Sequence, residues 1–127
     1  MKRINKEHVL LLHQILVKYT GGASGVRDEG LLESAIETPF ATFDRVPLCN
    51  TIQSKAAKLC FGLIKNHPFV DGNKRIGILA MLSFLEENGI RLECDDDELI
   101  KLGLGLADGT INESSVLDFI IGHDGHL

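Results

Sequence analysis

Between Arg75 and Glu87 the chain carries Ile76, Ile78, Leu79, Ala80, Met81, Leu82, Phe84 and Leu85, so a helix through this stretch is apolar on nearly every side. Such a helix cannot rest on a surface, and the remaining chain has to wrap it. The 127 residues suffice for one such shell and leave little room for a second core, so a single domain spanning 1–127 is expected.

The flanking segments supply the shell. Asn5 caps a first helix with Val9, Leu12, Ile15 and Leu16 at helical spacing, ended by Thr20-Gly21-Gly22. A short helix runs from Leu31 to Glu37 and stops before Pro39. Thr38 to Asn50 shows no period, and a loop of this length in a compact domain is often functional, here as a flap for a target strand or as a connection whose phenylalanines pack inward. Asn50 or Thr51 opens a helix with Ile52, Ala56, Leu59, Cys60, Leu63 and Ile64 on one face, and Asn66-His67-Pro68 ends it. Asn88-Gly89 stops the oily helix. Asp95, Asp96 and Asp97 open another to about Ala107, where their charge suits the positive end of the dipole. Asp108-Gly109 turns the chain into a last helix, Glu113 to Ile121. The expected fold is all-α: six helices and no strong strand, in a compact bundle around the helix at 75–87.

Composition narrows the function. Hydrophobic residues make up 44% and charged residues 24%, the balance of a folded chain rather than a disordered one. Thirteen Lys and Arg against eighteen Asp and Glu leave a net charge of −5, which lacks the basic footprint of a general nucleic-acid binder. No apolar run approaches a membrane span, and the opening MKRINKEHVLLLH puts charge inside any signal core, so a cytoplasmic location without a membrane partner is expected. Cys49, Cys60 and Cys94 are odd in number and form no CxxC pair, which suits thiols packed as small hydrophobes.

Chemistry concentrates in His67-Pro68-Phe69-Val70-Asp71-Gly72-Asn73-Lys74-Arg75, between two hydrophobic helices. His67 is a base suited to neutral pH. Asp71 is a hard oxygen ligand suited to Mg²⁺. Gly72 lets backbone approach a ligand and can take positive φ. Asn73, Lys74 and Arg75 stand at the opening turn of the oily helix, where free N–H groups, the dipole and two cations make an anion site. Phe69 and Val70 pin the loop to the core. Any one of these residues is common in turns and caps; their convergence at one helix start is not. Together they are the parts of phosphoryl chemistry, without a Walker loop, since no GxxxxGK(S/T) occurs.

The stretch HPFVDGNKR resembles the Fic/Doc superfamily signature HPFx(D/E)GN(G/K)R without a break. GVRDEGLLESAIETPF upstream and LSFLEENGIRL downstream are similar to the death-on-curing (Doc) branch, so the likeness runs from about Glu7 to the last helix. The resemblance implies an all-α Fic fold and transfer of a nucleotide-derived phosphate group to a protein hydroxyl, with ATP and Mg²⁺ as the expected substrate and cofactor. By it, His67 would be the general base on a target Ser, Thr or Tyr, and Asp71 would hold Mg²⁺. Gly72, Asn73 and Lys74 would form the anion hole, Arg75 would pair with a nucleotide phosphate, and Phe69 would support the loop. Adenylylating members resemble GNGRxxR, whereas here Lys74 replaces the second glycine and Ile78 stands in place of the second arginine. The Doc branch shares the lysine. For it the resemblance implies γ-phosphate transfer, translation elongation factor Tu as target, and a small antitoxin partner. Adenylyl transfer is the alternative. A silent nucleotide- or antitoxin-binding module is a second, opposed by the intact His67 and Asp71.

Other signals point to structure. Ser83-Phe84-Leu85-Glu86-Glu87-Asn88 fits an inhibitory (S/T)xxxE(G/N) literally, yet it lies on the central helix and reads as coincidence. Gly21 to Gly25 follows no strand and precedes no lysine, so it reads as a helix-to-helix loop. Arg27 with Asp28 or Glu29 reads as a surface or cap pair, and His8 and His13 as surface and flank of the first helix. His123 and His126 read as a frayed tail rather than a metal site. Asp95–Asp97 lacks the spacing of a calcium loop.

Overall fold

The computed structural model describes residues 1–126, the last by its backbone. Six helices form the body: α1 (Lys6–Thr20), α2 (Glu29–Glu37), α3 (Ile52–Asn66), α4 (Asn73–Glu87), α5 (Asp96–Asp108) and α6 (Glu113–Gly122). Five of them open on a side-chain cap, each accepting a backbone N–H of the first turn: Asn5, Asp28, Thr51, Asp95 and Asn112. Thr51 with Ser54 and Asp95 with Glu98 complete reciprocal capping boxes. The acidic run at 95–97 is thus a helix opening.

The centre is a pair of helices rather than the single one the hydrophobicity suggests. α3 packs against α2, α4, α5 and α6, while α4 packs against α1, α3 and α5. Glycines set their close approach: a Cβ on Gly77 would lie 2.7 Å from Ile64 Cγ1, and one on Gly62 3.3 Å from the Ala35 backbone. Ile76, Ala80, Met81, Phe84 and Leu85 of α4 are buried, with Leu59, Cys60 and Leu63 of α3 and Val116 and Ile120 of α6. The opposite face of α4, with Ile78, Leu79 and Leu82, is covered only partly. It lines a groove of about 670 Å³ between α1 and α5, whose walls include Leu16, Ile100 and Leu104.

No strong strand is present among the described residues, in line with the all-α expectation, but two short ribbons are. After a 3₁₀ turn at Thr38–Phe40, β1 (Thr42–Phe43) pairs antiparallel with β2 (Val46–Pro47). Asp44 and Arg45 both take positive φ at its tip, which is the backbone a tight two-residue hairpin needs. The two phenylalanines of this segment part company. Phe40 packs edge-on against Phe84, while Phe43 is 82% exposed. A second ribbon joins β3 (Ile90–Leu92) to β4 (Asp124–His126), so the C-terminal tail is paired rather than frayed. His123 bridges the Phe119 carbonyl (2.8 Å) and Glu98 Oε2 (2.6 Å); the His126 side chain lies outside the described residues. Among the described residues no helix is long and apolar enough to cross a membrane.

Candidate active site

The loop between α3 and α4 is held by three different devices. At its start, His67 adopts a left-handed conformation (φ 50°, ψ 53°) that ends α3. An L-residue there costs roughly 1–2 kcal/mol, so something must hold it. Arg27 does so with three successive carbonyls: its Nε donates to His67 (2.7 Å), its Nη2 to Asn66 (3.0 Å) and its backbone N–H to Pro68 (2.7 Å). Arg27 therefore caps the end of α3 instead of pairing with its acidic neighbours; Asp28 caps α2 and Glu29 meets Lys6.

In the middle, the Asn73 side chain braces the loop. Its Oδ1 accepts the Phe69 N–H (2.9 Å) and its Nδ2 donates to the Phe69 carbonyl (3.0 Å), with both residues buried. The amide oxygen of Asn73 and one of its two Nδ2 hydrogens are thus engaged by the loop. Phe69 is 1% exposed and stacks on His13 at 3.8 Å, which places α1 against the loop. His13 is buried, contrary to its expected place on the surface or flank of the first helix.

At the end, Asp71 is an exposed carboxylate held by two N–H groups. Oδ1 accepts from Gly72 (2.8 Å) and Oδ2 from Ala23 (3.3 Å). The Gly72 and Ala23 amides, with help from the nearby Arg75 charge, hold its pKa below the usual carboxylate range against slight desolvation. Asp71 is thus ionised at neutral pH. Gly22 gives it room, since a Cβ there would stand 2.5 Å from Oδ2. Each carboxylate oxygen keeps lone pairs toward solvent. Among the described residues no three His, Cys, Asp or Glu side chains converge as a metal cage. One carboxylate fits Mg²⁺, which commonly binds through one or two carboxylates, waters and substrate phosphates.

Gly72 then opens α4 in the left-handed region (φ 78°) with no side-chain cap, unlike the other five helices. The first-turn amides of α4 thus donate no hydrogen bond to a capping side chain. His67, Asp71, Gly72, Asn73, Lys74 and Arg75 line one pocket of about 190 Å³. His67, Lys74 and Arg75 are exposed. Among the described residues the His67 imidazole makes no hydrogen bond, and neither Lys74 nor Arg75 forms a salt bridge. A base, a carboxylate, two unpaired cations and an uncapped helix start thus share one small cleft. Lys74 and Arg75 also border the apolar groove, which Ile78 lines from α4.

Residues 3–85 match the model of the Fic/DOC family. The chain belongs to that family. Among relatives of the Doc branch, it is 40% identical over 94 residues to the Toxin Doc of Mycolicibacterium smegmatis, covering 74% of this chain and 70% of the relative. It is 32% identical over 118 residues to the Protein kinase doc of Escherichia phage P1, covering 93% of this chain and 92% of that protein. Three supports of the α3–α4 loop were not legible as such in the sequence: His13, Arg27 and Gly22. His13 follows Val9 by four residues and precedes Leu16 by three, so it shares their helix face, and that spacing was the available signal. Arg27 carried none, because its partners lie about forty positions away. The Ser83 motif sits away from the site, its Glu87 in contact with Lys2 at the far end of α4.

Proposed function

We propose that this chain is a Doc-type toxin that transfers the γ-phosphate of ATP to a Ser or Thr hydroxyl of a protein target. The observation that carries the reading is the uncapped start of α4, with Lys74 and Arg75 unpaired beside it and an unengaged His67 across the same pocket. A triphosphate chain matches this charge pattern, and a neutral ligand does not. The N–H groups of Asn73, Lys74 and Arg75 and the two cations hold phosphate oxygens. Asp71 would hold a Mg²⁺ ion, which would neutralise phosphate charge when bound. His67 takes the proton of the attacking hydroxyl as its oxygen bonds to the γ-phosphorus; the bond from that phosphorus to the β,γ-bridging oxygen breaks and ADP leaves.

Two surfaces fit the partners of such a toxin. The β1–β2 hairpin holds Phe43 and Val46 out to solvent, with Leu48 just beyond it, an edge along which a target segment can lie. The groove of Leu16, Ile78, Leu79, Leu82, Ile100 and Leu104 suits the apolar face of an antitoxin helix, and its occupant would reach Lys74 and Arg75. Elongation factor Tu is the proposed target.

The test uses ATP labelled at the α or the γ phosphate, incubated with the protein and elongation factor Tu. Transfer of γ label supports the kinase reading. Transfer of α label makes the protein an adenylyltransferase, and no transfer makes it a silent binding module on this target. His67→Ala should cut transfer by roughly 10²–10⁴ and abolish growth arrest with helical content unchanged. Growth arrest that survives this substitution rejects the role of His67.

A further inference from the structure

We propose that His13 of α1 is a positioning residue for the phosphate pocket, acting through the Asp71–Gly72 peptide. The inference rests on the phosphate-binding reading of the loop and adds a residue that the motif does not contain. His13 is 2% exposed, and its ring meets the loop at three places. It stacks on Phe69, with centroids 3.8 Å apart and planes 10° apart. Its Nε2 lies 2.8 Å from the Asp71 carbonyl oxygen. It also lies beside Gly72, where a Cβ would come within 3.5 Å of Nε2.

A carbonyl oxygen only accepts, so the hydrogen is on Nε2 and His13 is the donor. The Asp71–Gly72 peptide is planar and trans, so its C=O and N–H point in opposite directions. Tying the carbonyl to His13 therefore aims the Gly72 N–H the other way, where it meets Asp71 Oδ1 at 2.8 Å. The same peptide leads into the left-handed Gly72, whose carbonyl accepts the Ile76 N–H (2.9 Å) and starts α4. One donor on α1 thus sets both the carboxylate and the orientation of the open helix amides. An apolar ring in its place would fill the same space and leave the peptide free to rotate.

Two substitutions separate packing from donation. His13→Phe keeps a flat ring against Phe69 and removes the donor; His13→Gln keeps an N–H near the Nε2 position. Calorimetry with Mg²⁺-ATP should show binding about tenfold weaker in the Phe variant, the worth of one buried hydrogen bond, and within about threefold of wild type in the Gln variant. Both should keep cooperative melting. In ¹⁵N-resolved NMR the wild-type ring should show the Nε2–H tautomer, and the Gly72 amide should move in the Phe variant and not in the Gln variant, with no nucleotide present. A Phe variant that leaves the Gly72 amide in place overturns the proposal, as does a Gln variant that behaves like Phe. Wild-type protein that binds no ATP would instead sink the phosphate reading, while the amide shifts still decide the role of His13. If the Phe variant does not fold, the wild-type tautomer and the Gln variant decide it: an Nδ1–H ring, or a Gly72 amide displaced by glutamine, overturns the proposal.

Discussion

Replacing Asn73 by alanine tests whether the signature loop is held by side-chain bracing. The substitution removes the acceptor of the Phe69 N–H (2.9 Å) and the donor to the Phe69 carbonyl (3.0 Å) together. Phe69 is 1% exposed, so water cannot readily replace either partner. Each orphaned backbone group costs roughly 1–3 kcal/mol, and some relaxation of the loop puts the pair near about 3 kcal/mol. That is a large share of the roughly 5–15 kcal/mol that holds a domain together. At about 3–4 °C per kcal/mol for a domain of this size, the melting temperature should fall by about 10 °C. Urea titration should show a lower midpoint with the slope unchanged, since the surface exposed on unfolding is the same. Asn73→Asp is the companion variant. It keeps the acceptor for the Phe69 N–H, loses the donor, and sets a negative charge at the start of α4. It should melt between wild type and the alanine variant, because a first-turn carboxylate favours the helix dipole, yet bind ATP poorly, because the same charge repels phosphate. An alanine variant that melts within about 2 °C of wild type would refute the bracing role and the burial argument behind it.

Two further outcomes follow, one from a support of the site loop and one from a histidine outside the pocket. Arg27→Ala frees the carbonyls of Asn66 and His67 and loosens the left-handed turn that presents the imidazole, so the transfer rate should fall about tenfold or more with ATP affinity nearly unchanged. Lysine at this position should restore little, because it cannot fork onto two carbonyls; equal rates in wild type and Arg27→Ala would contradict the capping role. At the other end of the molecule, the Phe119 carbonyl and then the Glu98 carboxylate raise the pKa of His123 above its ordinary 6.5, against slight desolvation. A raised folded-state pKa means that the stabilisation is complete below about pH 6.5 and is lost as pH rises through the higher folded value. Chemical denaturation from pH 6 to pH 9 should show a loss below about 1 kcal/mol, since both side chains are partly exposed, and Glu98→Gln should flatten it. A Glu98→Gln profile that still falls as steeply would remove Glu98 from the linkage.

Periodicity and chemistry along the chain were enough for most of this molecule. Helix positions followed from apolar spacing and caps, because both act within a turn or two of the residues concerned: Thr51 with Ser54 and Asp95 with Glu98 are local devices. The site loop was legible for the same reason, since base, carboxylate, glycine and cations follow one another within nine residues. The two ribbons were not legible, because strands of two or three residues show too little alternation to mark them. Nor could hydrophobicity say which side of α4 stays open; that depends on where α1 and α5 settle. The helix face of His13 was legible from its spacing, but which groups His13, Arg27 and Gly22 meet was decided by tertiary structure, because contacts between residues some forty to sixty positions apart leave no pattern in the order of the chain. The order of residues determined which groups could do chemistry, and packing decided how each of them is held.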